Sequence, residues 1–383
     1  MNQRFYSLDV FRGATVALMI LVNNPGSWSH IYSPLEHAPW HGCTPTDIVF
    51  PFFLFAVGNA MSFVMPRLEK AGTRVSMKKI FKRSILIFSI GLLLNWSPFV
   101  KWQDSQLIFK TWDSIRIFGV LQRIALCYLF ASLIIYFLKS RAAFVVAGIL
   151  LLSYWALCLL LGSATDPYSL EGFWGTHIDR TLLGNNHIYK GEGVAFDPEG
   201  LLSTVTAIVN VIFGYLVGQY IQLKGKTYEM VTNLFMAGCI LTFAGLCWGM
   251  TFPLNKKIWS SSFTLYTTGL AINTLAILFY LIELRQYKGL FTRFFDVFGK
   301  NPLFIFVLSG LLPRLLGLIR IPQHAINKGS NIYLSPLNWF YEHVCKPVSP
   351  NLNNGSLLYA LCMIAFYWLI VYWLDENKIY IRV

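Results

Sequence analysis

The chain has 383 residues, 55% hydrophobic and 13% charged, with 31 Lys+Arg against 18 Asp+Glu for a net charge of +13. Soluble globular chains carry about 25% charged residues, whereas here apolar runs of about 20 residues, each able to cross hydrocarbon, recur along the whole length. This excludes a soluble domain and assigns the basic excess to membrane topology and anionic lipid rather than to nucleic acid.

The expected fold is all-α: one polytopic transmembrane domain over 1–383, with about ten membrane helices at roughly 8–24, 47–65, 84–100, 118–138, 142–161, 200–221, 232–251, 262–282, 301–319 and 356–374. The first apolar run ends in Asn23, Asn24 and Pro25 rather than in a small-residue cleavage site, so it reads as a membrane helix. Between the second and third runs stand Arg67, Lys70, Arg74, Lys78, Lys79, Lys82 and Arg83 against the single acid Glu69. That bias places the connection, and with it both termini, on the cytoplasmic side of an inner membrane. Residues 25–46, 101–117, 162–199, 253–261 and 320–355 then share the outer side. They hold all seven histidines, and 25–46 has no Lys or Arg. No internal repeat is evident, which argues against the inverted-repeat transporters.

Within the first span, Asp9 and Arg12 are three apart and can pair on one helix face. They lie about 21 Å of helix from Asn23, so they belong to structure or to a cytoplasmic ligand. Asn23 suits either a helix C-cap or a donor to a developing oxyanion. His37 opens HAPWHG at the edge of hydrocarbon, where a group titrating near neutrality is a functional candidate. It could be a general base, a nucleophile or a metal ligand, or a loop histidine without chemistry. Pro39 and Gly42 disfavour a helical metal pair with His41, so no metal is expected. Asp47 suits a helix start, or it orients the histidine.

Arg123, with Gln122 beside it, enters an apolar helix and needs a partner there, a carboxylate or a phosphate, unless it snorkels to the interface. Asp197 and Glu199 flank a proline before the sixth span, with His187 upstream. Together with Trp40, Trp174 and Trp259 they suit the hydroxyls, amine and apolar face of a sugar, or ordinary capping of a polar loop. The segment 283–300, followed by Asn301 and Pro302, adds basic charge on the inner side. It suits lipid contact or an anionic cofactor, without any Walker or dinucleotide motif. The cysteines have no CxxC pattern; Cys43 and Cys345 fall in loops and are free to pair.

SLDVFRG (7–13), HAPWHGCTPTDIVFPFFLFAVG (37–58), GVLQRI (119–124), IDRTLLGNNHIY (178–189), FDPEG (196–200) and GKNPL (299–303) occur in that order. With these the chain resembles the heparan-α-glucosaminide N-acetyltransferase family and its bacterial, NagX-like homologues. The resemblance implies transfer of acetyl from cytosolic acetyl-CoA to the amine of a glucosamine across the membrane. It maps catalysis to His37, Asn23 and Asp47. With the residue readings above, acceptor contacts are expected at Trp40, Asp197, Glu199, His187 and Trp259, and acetyl-CoA contacts at Arg123, Gln122, Asn301, Asp9 and Arg12. Acetyl-CoA, an amino-sugar acceptor and membrane lipids are then the partners, and a homodimer is compatible with the sequence. An amino-sugar transporter and an O-acyltransferase of an envelope glycan are the alternative readings.

Overall fold

In the computed structural model, residues 5–103, 106–323 and 332–381 are described. Five helices fill the first half: α1 (Tyr6–Asn23), α2 (Val49–Lys70), α3 (Thr73–Trp96), α4 (Val120–Leu161) and the short α5 (Trp174–Leu183). Then come α6 (Leu201–Lys224), α7 (Tyr228–Gly249), α8 (Ser261–Phe279), α9 (Leu290–Lys300), α10 (Pro302–Leu316), the short α11 (Pro336–Phe340) and α12 (Leu352–Glu376). Two small antiparallel hairpins ornament the connections: β1 (Val100–Gln103) pairs with β2 (Gln106–Phe109), and β3 (Ile321–Gln323) with β4 (Ile332–Leu334).

Among the described residues, seven helices are long and apolar enough to cross a membrane. The number is eight if α9 and α10, bent by 80° at Asn301, count as one span. The bend has a local cause. Pro302 has no N–H to continue the α9 ladder, but it suits the first turn of a new helix.

One boundary differs from the sequence expectation and one agrees with it. The basic segment after α2 is not a loop: α2 runs to Lys70, Gly72 turns the chain at φ +84°, and α3 starts at Thr73. Lys and Arg are good helix formers and can carry their charge to water on long stems, so a basic run need not end a helix. The runs expected as separate spans at 118–138 and 142–161 both lie in α4, as two helical stretches that meet at a break at Lys139, where φ is 62° and ψ 175°.

At two helix pairs the backbones themselves approach closely. On α2, a Cβ added to Gly58 would lie 2.0 Å from the carbonyl oxygen of Val211 on α6. Reciprocally, one on Gly214 would lie 2.1 Å from that of Phe55. Gly13 of α1 and Gly299 of α9 make a second reciprocal pair, at 1.7 Å from Phe295 O and 2.2 Å from Asp9 O. Small residues do this work in membranes because lipid supplies no hydrophobic drive between helices, and contact distance sets the dispersion gain. The variant Gly58→Val should therefore force α2 and α6 apart. The expected result is a loss of at least about 2–3 kcal/mol, read as a lower melting temperature and less monodisperse protein after detergent extraction.

The core follows from this contact. Leu54 on α2 and Val209, Val211 and Ile212 on α6 are fully buried, while much of α4 and α7 faces outward. Cys43 and Cys345 are both free thiols, so the pairing open to them in sequence is not made.

Candidate functional site

The loop between α1 and α2 is shaped by its own backbone and anchored from the far side. Gly42 takes φ +117°, and its N–H donates to Leu254 O at 2.7 Å in the turn between α7 and α8. Asn255 of that turn lies against His41, its Nδ2 3.3 Å from Nδ1, and Lys257 Nζ donates to Pro39 O at 2.7 Å. This stitching carries Lys256 and Lys257 to the residues around His37.

Asp47 does not cap α2; its carboxylate turns back on the loop. Oδ2 accepts the N–H groups of Ala38 and Thr44, each at 3.0 Å, and the Thr44 hydroxyl lies at 3.1 Å. Oδ1 lies 2.7 Å from His37 Nδ1 and 3.4 Å from Lys256 Nζ. Burial alone would raise this carboxyl, but the bonds from His37, Lys256, Thr44 and Ala38 outweigh it and hold Asp47 well below the usual carboxylate range. Asp47 is thus a fixed anion. A ring that donates Nδ1–H to it keeps Nε2 as its acceptor, and among the described residues nothing bonds to Nε2. The His37 side chain is 43% exposed whereas that of Asp47 is 2% exposed, so the ring stands in the opening and its anchor lies behind.

The opening is a cavity of about 220 Å³. Its walls come from four of the polar stretches expected on one side of the membrane: His37 and Trp40 from the first, with Asp47 directly after it, Arg116 from the second, Tyr189, Glu192 and Glu199 from the third, Lys256, Lys257 and Trp259 from the fourth. Arg116 organises the second and third. Its Nε and Nη2 donate to Asp197 at 3.0 and 2.6 Å, Nη2 also meets Glu199, and the guanidinium lies 4.8 Å from the centre of the Tyr189 ring. Burial works against this cation, but Glu199 and Asp197 outweigh it and keep Arg116 charged. Burial pulls Lys256 below the usual lysine range, against the attraction of Asp47 and Glu199. The neighbouring Cys43 thiol is pushed up to about 12 by burial, so it stays protonated and is no competing nucleophile.

Trp259 forms part of the wall from a left-handed backbone position, φ 51°, that an aromatic residue seldom adopts. The conformation is held from both ends: Thr206 donates to its carbonyl at 2.6 Å, and its indole N–H donates to Asn210 at 3.0 Å, both on α6. The Arg123 guanidinium lies 4.9 Å from its ring centre. Trp40 is fixed through its indole N–H to Tyr168 O at 2.9 Å and edge-on to Phe196.

Not every residue singled out in the sequence lines the cavity. Asn23 is exposed at the end of α1. His187 is a brace: its Nδ1 lies 2.8 Å from Ile115 O, its carbonyl accepts from Ile117 N, and together these set Arg116 in place. Asp197 sits behind the wall, held by Arg116. Asn301 binds the C-terminal segment with both ends of its amide, to Ile379 O and from Ile381 N. Asp9 pairs with Arg12 at 2.6 Å, and Arg12 donates to Gly299 O at 2.7 Å, which ties α1 to α9. Arg123 does not snorkel. It is fully buried, bound to Gly200 O and Ser203, with Nε and Nη1 unpartnered; Nε2 of the adjacent Gln122 is also unpartnered. Among the described residues no group of three or more His, Cys, Asp or Glu is placed to hold a metal ion.

Sequence reading missed Arg116, Tyr189, Glu192, Lys256 and Lys257. One signal was present for the lysines. Two adjacent cations in a short turn expected on the outer side run against the charge bias of such turns and so call for a local reason.

Asp179, on α5, secures the third stretch. Its Oδ1 accepts Leu201 N–H at 3.0 Å, so it caps α6 from outside. Burial raises its carboxyl to about 7; Leu201 opposes and Asp197 adds to the rise. A carboxyl with a raised folded-state pKa contributes stability below its unfolded pKa and loses it as pH climbs towards the folded value. Between about pH 4 and 7 this loss is on the order of 4 kcal/mol. The variant Asp179→Asn keeps an acceptor and cannot ionise. Its melting temperature should fall less than the wild type's between pH 5 and 8; parallel curves would contradict the protonated carboxyl.

Residues 4–166 match the family model described as Heparan-alpha-glucosaminide N-acetyltransferase, catalytic. Two curated relatives carry the name Heparan-alpha-glucosaminide N-acetyltransferase. The one from Mus musculus is 29% identical over 79% of this chain and 53% of its own length. The one from Homo sapiens is 28% identical over 79% of this chain and 52% of its own length. The chain spans about half the length of these relatives.

Proposed function

We propose, from the match of residues 4–166 to the heparan-alpha-glucosaminide N-acetyltransferase catalytic model and the similarity to the two relatives of that name, that the chain is a membrane acyltransferase. It moves acetyl from cytosolic acetyl-CoA to the amine of a glucosamine-type sugar on the outer side of the inner membrane. The observation that carries this reading is the His37–Asp47 pair, whose free Nε2 belongs to a ring standing in a cavity lined by carboxylates and aromatic faces.

The chemistry needs one group that accepts either the acetyl or the amine proton. Nε2 of His37 is that group, and Asp47 holds the tautomer that leaves it free. If Nε2 takes the acetyl, the carbonyl–sulfur bond breaks and the CoA thiolate leaves with the electron pair. The sugar amine then attacks the acetyl-imidazole, the bond from the carbonyl carbon to Nε2 breaks with its electron pair returning to the ring, and the amine's proton goes to solvent. If His37 acts only as base, the amine attacks the thioester directly, Nε2 takes its proton, and the carbonyl–sulfur bond breaks with the CoA thiolate leaving. Lys256 shares Asp47 Oδ1 with the ring and balances the buried anion. Glu199 and Glu192 face the acceptor's hydroxyls, and Trp40 and Trp259 its apolar face. Arg123 Nε and Nη1, buried without partners beside Trp259, and Gln122 Nε2, buried without a partner in a side chain that lies against Gly91 of α3, are the groups left for the polar arm of the donor.

In the membrane we read one domain with ten spans and both termini cytoplasmic. Counting α4 twice at its Lys139 kink, adding α3, and taking α9 with α10 as one span brings the seven long helices to ten. The basic first half of α3 then lies on the donor's side. Purified protein in lipid vesicles, given labelled acetyl-CoA on one face and glucosamine on the other, should form N-acetylglucosamine only when both are present. Glucosamine uptake without acetylation would establish a transporter instead.

A further inference from the structure

We infer that the cavity selects an acceptor ring bearing no anionic substituent, an inference that rests on the acetyltransferase reading. It follows from how the charges on the wall are already committed. Lys257 is bound to Glu192 at 2.6 Å and to Pro39 O at 2.7 Å. Lys256 is bound to Asp47, and Arg116 to Asp197 and Glu199. Each cation that lines the cavity therefore has a carboxylate against it before any ligand enters.

A sulfate or carboxylate on the sugar would have to displace one of those carboxylates and leave it facing another anion at close range. Like charges so juxtaposed cost several kcal/mol. The opposite charge is accommodated without rearrangement. With Asp197 counted, four carboxylates stand against three cations, so the surplus is negative. Glu199 meets Arg116 through Oε2 and leaves Oε1 to accept from a hydroxyl or an ammonium. The volume agrees. About 220 Å³ is below the roughly 300–1,000 Å³ of drug-sized sites and fits a single pyranose ring. A substituent on the face of that ring turned to the wall meets these paired charges.

The test compares methyl glucosaminide with glucosamine 6-sulfate, by acetylation rate and, separately, by binding to the donor-free protein. The sulfated sugar should be at least about a hundredfold worse in both. The variant Glu192→Gln, which releases Lys257, should narrow the ratio between the two sugars by about tenfold or more. Equal binding and equal rates for the two sugars in the wild type would overturn the inference while leaving the acetyltransferase reading in place. Preferential binding of the uncharged-substituent sugar with no acetylation of either would uphold the selection and overturn the acetyltransferase reading instead.

Discussion

The variant His37→Ala should lose acetyl transfer by about a hundred- to ten-thousand-fold if the ring serves only as a base. If it carries the acetyl, the loss should reach background. The fold should survive the change. The ring is 43% exposed, so little packing is lost, and Asp47 keeps Ala38 N–H, Thr44 N–H and Lys256 as partners. Melting curves of variant and wild type should therefore nearly coincide while their rates diverge. Trapping labelled acetyl on wild-type protein in the absence of acceptor, and failing to trap it on the variant, would identify the acetyl-histidine route. Undiminished transfer by a purified His37→Ala protein would remove the histidine from the mechanism.

The second large effect falls on stability. Arg116→Met takes away the cation that, among the described residues, is bound to the fully buried Asp197 side chain. Removing one partner of a buried ion pair costs about 3–5 kcal/mol, because the other is left charged in a poor solvent. The Arg116 side chain is itself 25% exposed, so water offsets part of this and the lower end is expected. The double variant Arg116→Met/Asp197→Asn should recover much of the loss, since an uncharged amide there can still accept Glu199 N–H at Oδ1. A double variant no more stable than the single one would place the loss in Arg116's own packing on Tyr189 rather than in the stranded carboxylate. Thermal unfolding in one detergent, with all three proteins side by side, separates these outcomes.

Local physics made the helices and the dyad legible. Apolar runs of membrane length announce helices whatever they pack against, and Pro302 marked the start of α10 by its missing N–H. His37 and Asp47 are ten residues apart in one loop, close enough for chemistry at the hydrocarbon edge to suggest that they meet. Lys256 lies 219 residues beyond His37, and no periodicity connects them. Their contact depends on Gly42 and His41 reaching the turn between α7 and α8, a tertiary fact. Arg116 was hidden for a related reason: its partners lie more than 80 residues ahead, and only the brace at His187 shows why they converge. Asn23 illustrates the opposite error. Proximity to a helix end on the same side of the membrane does not aim a side chain at the cavity, and in the fold it is exposed elsewhere.

The cavity wall is divided between early and late parts of the chain, and synthesis makes that a matter of time. His37, Trp40, Asp47 and Arg116 are made first, and Lys256, Lys257 and Trp259 follow after α7. At about 5–20 residues per second the histidine waits roughly 10–40 s for the lysine that will lie beside it. A nascent protein halted between α6 and α7 thus carries the His37–Asp47 pair but only part of the wall around it. The wall is complete only once the turn before α8 has been made, with seven of the twelve helices already synthesised.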